Sequence, residues 1–185
     1  IGVATVTRDE ILRDLLHTGL TGRSEYGPGL EKVRGRAALV RELEAHRALG
    51  QRVAFTNGCF DLLHAGHVQY LREARAQADL LVVGLNSDAG VRALKGPARP
   101  VNAVEARALV LSGLEAVDYL TVFDEPTPLE LIGALRPDVL VKGSDYRLVE
   151  VVGADFVESY GGRVHLTPLR EGYSTTRLLQ RLGAA

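Results

Sequence analysis

The sequence predicts an α/β fold in which five parallel strands form one open sheet with helices on both faces. Short apolar runs alternate with longer segments whose apolar residues recur at helical spacing, from residue 52 to residue 182. The run Leu80 to Leu85 is apolar almost without interruption, which is typical of a strand buried on both sides. Gly and Pro mark most boundaries between these segments. Strands that alternate with helices in this way build a parallel sheet.

The elements follow one another in a regular order. Strands are predicted at residues 52–56, 80–85, 119–123, 139–142 and 163–166. Helices are predicted at 67–78, 104–114, 129–135, 151–160 and 175–182, and a further helix at 35–49 precedes the first strand. Open parallel sheets bind ligands at the carboxyl ends of their strands, near the point where the strand order reverses. The loops expected to form the site therefore follow Thr56, Leu85, Phe123, Lys142 and Leu166.

Composition excludes several classes of function. The chain has 185 residues, of which 46% are hydrophobic and 24% charged, and its formal net charge is −1. This charge gives no basic field that would favour a nucleic-acid partner. One cysteine leaves no internal disulfide framework, and no apolar run is long enough to cross a membrane. We expect a cytoplasmic protein without nucleic-acid or membrane partners; a homo-oligomer is also expected.

The first residues differ in character from the rest. Residues 3–6 form a short β-like run and residues 8–16 a helical pattern, and TGRSEYGPG at 21–29 has the composition of a linker. We interpret residues 1–20 as the remnant of an upstream domain, 21–34 as a linker and 35–185 as the main domain. The chain contains no methionine and starts at Ile1, which is consistent with a piece of a longer protein.

The strongest motif is TNGCFDLLHAGH, residues 56–67, which we call the histidine loop. Gly58 allows a tight turn that leaves backbone amides free to point at an anion. A helix begins near Gly66, and its N-terminus offers unpaired amides and the positive end of the helix dipole. His64 and His67 lie three residues apart around this helix start, so both rings can donate hydrogen bonds to one phosphate. The predicted nucleotide contacts in the loop, besides the histidines, are Thr56, Asn57, Gly58, Cys59, Phe60 and Gly66, the last of which leaves room for a phosphate near the backbone.

Other interpretations of this loop stay open on the sequence alone. Two histidines at this spacing can hold a metal, but no Cys or acidic cluster completes a zinc site, so neither histidine is predicted to be a metal ligand. They can also be ordinary surface residues. A redox role for Cys59 is a further alternative, because a thiol beside a helix start can have a lowered pKa. The chain has no second cysteine to resolve an oxidised form.

A second motif is LKGPARP, residues 94–100, in which Gly and Pro predict a loop. A mobile flap at this place can bring the Lys95 ammonium to the phosphates as a flexible point charge. Arg99 is predicted to contact the second substrate. The alternative is a solvated loop with ordinary charges.

A third motif, REGYSTTR at 170–177, follows the last strand. Ser174 can cap the final helix, with Thr175 and Thr176 in its first turn. These three residues and Arg170 are predicted to hold the β- and γ-phosphates, with a plain helix cap as the alternative.

Two strand ends and one further carboxylate supply the remaining candidates. After the fourth strand, Lys142, Gly143 and Asp145 are predicted nucleotide contacts, although a simple turn explains them nearly as well. Asn86 and Asp88, which follow the second strand, form either a sugar-binding turn or a helix cap. Asp61 in the histidine loop is a candidate ligand for metal or for the second substrate.

The motifs resemble those of a known family. TNGCFDLLHAGH is similar to the T/H-x-G-H signature of the cytidylyltransferase-like nucleotidyltransferases, and REGYSTT to their R-x-E-G-x-S-T-T motif. Across 52–182 the chain resembles the adenylyltransferase domain of bacterial heptose enzymes, in stretches that include VGLNSDAGV, LKGPARPVN, LEAVDYL and PDVLVKGSDY. Residues 2–12 resemble the last strand and helix of the sugar kinase that precedes this domain in the bifunctional enzymes.

The resemblance implies a Rossmann-like nucleotidyltransferase fold and a catalytic set of His64, His67 and Lys95. It implies transfer of AMP from ATP to D-glycero-β-D-manno-heptose 1-phosphate, by in-line attack on the α-phosphorus with release of pyrophosphate. Mg²⁺ would accompany ATP, no organic cofactor is implied, and a kinase domain in the same parent chain would supply the sugar phosphate. Two rivals remain: a cytidylyltransferase acting on glycerol 3-phosphate, and a nucleotide-binding domain that has lost catalysis.

Overall fold

A computed structural model describes Thr7, Glu10, residues 28–144 and residues 147–168. Its centre is a five-stranded parallel sheet with the strand order β3-β2-β1-β4-β5. The strands are β1 (Val53–Gly58), β2 (Leu80–Asn86), β3 (Tyr119–Phe123), β4 (Val139–Gly143) and β5 (Arg163–Thr167). The predicted α/β fold is confirmed, and β3 has the predicted bounds.

Helices connect the strands. They are α1 (Arg36–Ala48), α2 (Ala65–Arg75), α3 (Asp88–Lys95), α4 (Val104–Ser112), α5 (Leu129–Leu135) and α6 (Ala154–Ser159), with one 3₁₀ turn at Leu148–Glu150. α5 has the predicted bounds. The helix predicted at 151–160 is shorter, because the 3₁₀ turn precedes it and the left-handed Gly153 separates the two. The final helix predicted at 175–182 and the elements predicted before residue 20 lie outside the described residues.

Helix α3 is absent from the sequence prediction. It has eight residues, and Gly90 lies in its first turn, so helix propensity gives little signal. Its ends are nevertheless well formed, because the Ser87 hydroxyl accepts a hydrogen bond from the Gly90 amide at 3.1 Å. Asp88 in the first turn and Lys95 in the last complement the helix dipole. Lys95 therefore lies on a helix, and the loop predicted at 94–100 begins only at Gly96, whose φ is +95°.

Apolar layers cover both faces of the sheet. On one face α2 and α4 pack against alternate residues of the central strands, such as Ala54 and Leu81. On the other face α1, α5 and α6 pack against the intervening residues, such as Phe55 and Val82. All seven residues of β2 are buried, because this strand has a neighbour on each side and helices on each face. Burial from both faces explains the uninterrupted apolar run in the sequence.

The strand order reverses between β1 and β4. From β1 the chain proceeds to β2 and β3 on one side, and then crosses to β4 and β5 on the other. β1 pairs with β2 up to Gly58↔Leu85 and with β4 at Ala54↔Val139 and Phe55↔Leu140. The carboxyl ends of β1 and β4 therefore flank the switch point, where open α/β sheets leave a crevice for ligands.

Residues 30–34, the end of the segment interpreted as a linker, lie along the outer edge of β3. The Arg34 amide donates to the Leu120 carbonyl at 2.8 Å, and the Leu120 amide donates to the Lys32 carbonyl at 2.8 Å. Val33 between them is 2% exposed. These residues therefore cover the outer edge of β3, which is an edge strand of the sheet.

Within the described ranges, no helix has the length and apolarity that a membrane span requires.

Candidate active site

The histidine loop leaves β1 at the switch point and enters α2. His64 is the N-cap residue of α2 and has an extended backbone, so the first helical residue is Ala65. The left-handed residue in the loop is Phe60, with a φ of 44°. Gly58 serves a different purpose from the turn predicted for it, since a Cβ there would stand 3.0 Å from the Phe60 ring. The glycine therefore makes room for Phe60, and Phe60 turns the chain towards α2.

The two histidine rings stack on each other. Their centroids are 3.9 Å apart and their planes 21° apart, which is a stacked arrangement. The His67 ring also contacts the Phe60 ring in an edge-to-face arrangement, with the two centroids 5.4 Å apart. Nδ1 of His67 is buried and has no hydrogen-bond partner among the described residues. A buried polar atom without a partner next to a helix N-terminus is suited to a ligand that carries hydrogen-bonding oxygens.

Burial keeps both histidines neutral in the free protein. It lowers the pKa of His67 to about 4, with a smaller contribution from the charge of His64. Burial also lowers the pKa of His64 below its usual value. At neutral pH each ring therefore has one N–H donor, and a bound anion would shift both rings towards the protonated form.

Lys95 is exposed at the end of α3, and its charge acts on the histidine loop. Burial raises the pKa of the Cys59 thiol, and the nearby charges of Lys95, Arg107 and Arg99 oppose this rise. Three cations thus lie around the first part of the histidine loop. This local positive charge arises although the whole chain has a net charge of −1, and it favours an anionic ligand.

Asp61 is bound by the chain itself. Its carboxylate, 4% exposed as a residue, accepts hydrogen bonds from the amides of Val101 and Asn102 at 2.9 Å and from Nε of Arg99 at 2.5 Å. The side-chain amide of Asn102 donates a further hydrogen bond to the backbone carbonyl of Asp61 at 2.8 Å. Two residues predicted to contact the second substrate, Asp61 and Arg99, therefore bind each other and hold residues 99–102 against the histidine loop.

Arg107 is a site residue that none of the sequence motifs contains. Its side chain is fully buried in α4, and its guanidinium donates four hydrogen bonds. Nε donates to Asn102 O at 3.0 Å, Nη1 to Cys59 O at 2.7 Å and Asn86 O at 2.8 Å, and Nη2 to the Asp88 carboxylate at 2.7 Å. The sequence does indicate that this arginine is buried, because helical spacing places Arg107 on the same helix face as Val104, Ala108 and Leu111.

Four of the remaining candidates in the described ranges lie at the carboxyl ends of β1 and β4. The Thr56 hydroxyl is 2.7 Å from Tyr70 Oη, which donates to the Val141 carbonyl at 3.1 Å. Across the switch point, Nζ of Lys142 donates to Oδ1 of Asn57. Gly143 ends β4, Gly66 lies in the first turn of α2, and Asn86 and Asp88 are engaged by Arg107. Asp145, Arg170, Ser174, Thr175 and Thr176 fall outside the described residues.

These features define the class of protein. An open parallel sheet with a glycine-containing loop at its switch point, two histidines at the following helix start and a nearby lysine is the architecture of a nucleotidyltransferase domain. The chain belongs to the cytidylyltransferase-like family, whose model matches residues 55–181. The resemblance indicated by the sequence motifs is confirmed.

Relatives refine this membership. The chain is 53% identical to the bifunctional protein HldE of Syntrophotalea carbinolica over 182 residues, which are 98% of this chain and 36% of that protein. It is 50% identical to HldE of Caulobacter vibrioides over 184 residues, which are 100% of this chain and 37% of that protein. The chain thus spans little more than a third of the length of these relatives.

Two solved structures share the fold. A lipopolysaccharide core biosynthesis protein from Thermoplasma volcanium superposes with a TM-score of 0.56 at 26% identity, covering 68% of this chain and 100% of that one. A pantoate-beta-alanine ligase from Francisella tularensis superposes with a TM-score of 0.55 at 16% identity, covering 76% of this chain and 68% of that one. The second likeness concerns the fold alone.

Proposed function

We propose that this domain transfers AMP from ATP to D-glycero-β-D-manno-heptose 1-phosphate, forming ADP-heptose and pyrophosphate. The observation that carries the proposal is the pair of stacked histidines at the start of α2, beside the switch point of the sheet. Similarity over nearly the whole chain to proteins named bifunctional protein HldE supports a sugar-nucleotide reaction, as does the likeness to a lipopolysaccharide core biosynthesis protein. A sugar kinase domain in the same parent chain, in the cytoplasm, would supply the acceptor.

The proposed reaction is one in-line displacement. An oxygen of the sugar phosphate forms a bond to the α-phosphorus, while the bond from that phosphorus to the bridging oxygen of pyrophosphate breaks. The attacking oxygen is already anionic, so no strong general base is required. Catalysis then consists of positioning and neutralisation of charge. His64 and His67 would donate hydrogen bonds to the α-phosphate oxygens, and the Lys95 ammonium would approach the same phosphates.

ATP would enter as its magnesium complex. Among the described residues, no three His, Cys, Asp or Glu side chains are grouped so as to hold a metal ion. The Asp61 carboxylate, a candidate ligand, already accepts bonds from two amides and Arg99. Mg²⁺ suits this site nevertheless, because it keeps several waters and binds chiefly through the phosphates of its nucleotide.

A pyrophosphate-release assay on the 185-residue chain tests the proposal. MgATP and MgCTP are each combined with the β- and α-anomers of the heptose 1-phosphate and with glycerol 3-phosphate. We expect turnover with ATP and the β-anomer, and turnover at least about tenfold slower with each mismatched pair. Turnover that requires CTP or glycerol 3-phosphate would contradict the proposal in favour of a cytidylyltransferase. ATP binding without pyrophosphate release from any pair would indicate a catalytically silent domain.

A further inference from the structure

Arg107 joins four parts of the chain that surround the candidate site. Through Cys59 it contacts the histidine loop, through Asn86 the carboxyl end of β2, and through Asp88 the first residue of α3. Its bond to the carbonyl of Asn102 reaches the segment that Asp61 also holds. One side chain thus links the loop that contains His64 and His67 to the helix that ends at Lys95.

We propose that Arg107 is a positioning residue for nucleotidyl transfer, which sets the place of Lys95 relative to His64 and His67. This inference rests on the proposed function, but it concerns a residue that does not touch the substrates. The Arg107 side chain is 0% exposed, so its influence on the reaction passes through the groups that it holds. α3 has only eight residues and its first residue is fixed by Arg107, so a shift there would displace Lys95 directly.

The geometry requires a guanidinium. Four bonds leave the Arg107 side chain from three nitrogen atoms that lie in one plane, and they end on acceptors in four different segments. An ammonium has its donors on a single atom and cannot span these acceptors. The free-energy cost of burying the positive charge is offset by the Asp88 carboxylate and by three carbonyl dipoles. A lysine at 107 would keep the charge and lose the arrangement.

The position of Asp61 supports the same conclusion from another side. The Asp61 carboxylate accepts a hydrogen bond from the backbone amide of Asn102, whereas Arg107 donates one to the backbone carbonyl of Asn102. The segment that follows α3 is therefore held at both backbone groups of one residue, by Asp61 of the histidine loop and by Arg107, which also binds that loop at Cys59. Such double attachment fixes the segment in one arrangement, as preorganised sites require.

Arg107→Lys tests the proposal, with Arg34→Lys as the matched control. Arg34 also forms a largely buried ion pair, with Glu42 at 2.6 Å, but it lies beside β3 at the edge of the sheet. We expect Arg107→Lys to lower kcat at least about tenfold and to leave the KM for ATP within about threefold, because misplaced groups impair the chemical step more than ground-state binding. For Arg34→Lys, we expect both constants to stay within about twofold of the wild type.

The single cysteine gives a second readout that needs no substrate. Cys59 is half-buried next to the carbonyl that Arg107 holds, so its alkylation by iodoacetamide reports the order of the histidine loop. Because lysine preserves the positive charge, faster alkylation in Arg107→Lys would reflect geometry. We expect at least about threefold faster alkylation in that variant, since local opening exposes a protected group. No increase is expected in Arg34→Lys.

The outcomes separate this proposal from the proposed function. If the wild type releases no pyrophosphate with any substrate pair, the proposed function fails, and Cys59 alkylation still decides whether Arg107 orders the loop. Wild-type alkylation together with wild-type kcat in Arg107→Lys would overturn the positioning role. If Arg107→Lys does not fold, Asp88→Asn takes its place, because it weakens one bond of the four. Faster Cys59 alkylation in Asp88→Asn would support the proposal, and an unchanged rate would refute it.

Discussion

The imidazole rings of His64 and His67 stack at the beginning of α2, with their centroids 3.9 Å apart. Two protonated imidazoles at this distance would repel each other, and the charge of His64 does lower the pKa of His67. Burial lowers the pKa of His67 more than the charge of His64 does, so the free protein holds two neutral rings beside a helix N-terminus. A triphosphate would reverse this preference, because its negative charge stabilises the protonated rings.

Replacing His67 by alanine should abolish most of the activity. The ring is the more deeply buried of the pair and its Nδ1 lacks a partner in the described part of the chain. We expect His67→Ala to lower kcat by about a hundredfold or more, which is the effect of losing one donor to a developing oxyanion. Gln69→Ala on the same helix is the control, since its side chain is exposed and donates a hydrogen bond to Glu73 at 3.1 Å. Near-normal turnover in His67→Ala would refute the catalytic role.

Stability should fall between neutral pH and pH 4 because of His67. Unfolded histidine binds a proton below about pH 6.5, whereas folded His67 does so only below about 4. In this window the unfolded state holds more protons, so the free energy of unfolding decreases as the pH falls. The effect is at most about 3 kcal/mol for a shift of this size.

Urea unfolding at pH 7.0, 5.5 and 4.5 measures this dependence. His67→Gln removes the titrating group, so its free energy of unfolding should decline less steeply than that of the wild type. Parallel declines for the two proteins would mean that His67 is protonated in the folded state already near its usual pKa.

The sequence predicts elements well where local signals and burial agree. β3 and α5 have the predicted bounds, because an apolar run defines the strand and Pro137 follows the helix. α3 was missed because Gly90 interrupts a short helix whose stability comes from the Ser87 cap and from Arg107. Such long-range bonds between a side chain and distant carbonyls leave no periodic pattern. For the same reason the sequence gives no sign that Asp61 binds residues 99–102, and its role as a ligand of substrate or metal stays a prediction.

Asp61→Asn should destabilise the fold. Burial would raise the pKa of this carboxyl, but bonds from the amides of Asn102 and Val101 and from Arg99 outweigh it, so the pKa is lowered. Asparagine has one acceptor oxygen for these donors and leaves Arg99 without a charged partner. We expect a loss of about 2–4 kcal/mol of unfolding free energy in urea titrations.

Glu125→Gln provides the comparison for Asp61→Asn. Glu125 pairs with Arg36 where both side chains are partly exposed, so its loss should cost less than about 1 kcal/mol. A kcat defect in Asp61→Asn without loss of stability would instead show that the carboxylate contacts a substrate or a metal.

Cys59→Ser should leave the activity within about twofold of the wild type. Burial raises the pKa of this thiol, which makes it a poor nucleophile at neutral pH. The contact to Arg107 uses the backbone carbonyl of Cys59 and therefore persists in the variant. Pyrophosphate release is the measurement, and complete loss of turnover in a folded Cys59→Ser protein would revive a role for the thiol.

Lys95→Ala should reduce kcat by about ten- to a hundredfold, because one cation near the developing phosphate charge contributes on this scale. Arg92 offers a close control, since both residues are exposed basic side chains in the last turn of α3. The charge of Lys95 opposes the rise in the pKa of Cys59, whereas Arg92 is not among the charges that affect this pKa. Arg92→Ala should therefore stay within about twofold of the wild type. Equal losses in the two variants would indicate a diffuse effect of positive charge on nucleotide capture, and in that case raising the salt concentration would abolish the difference between both variants and the wild type.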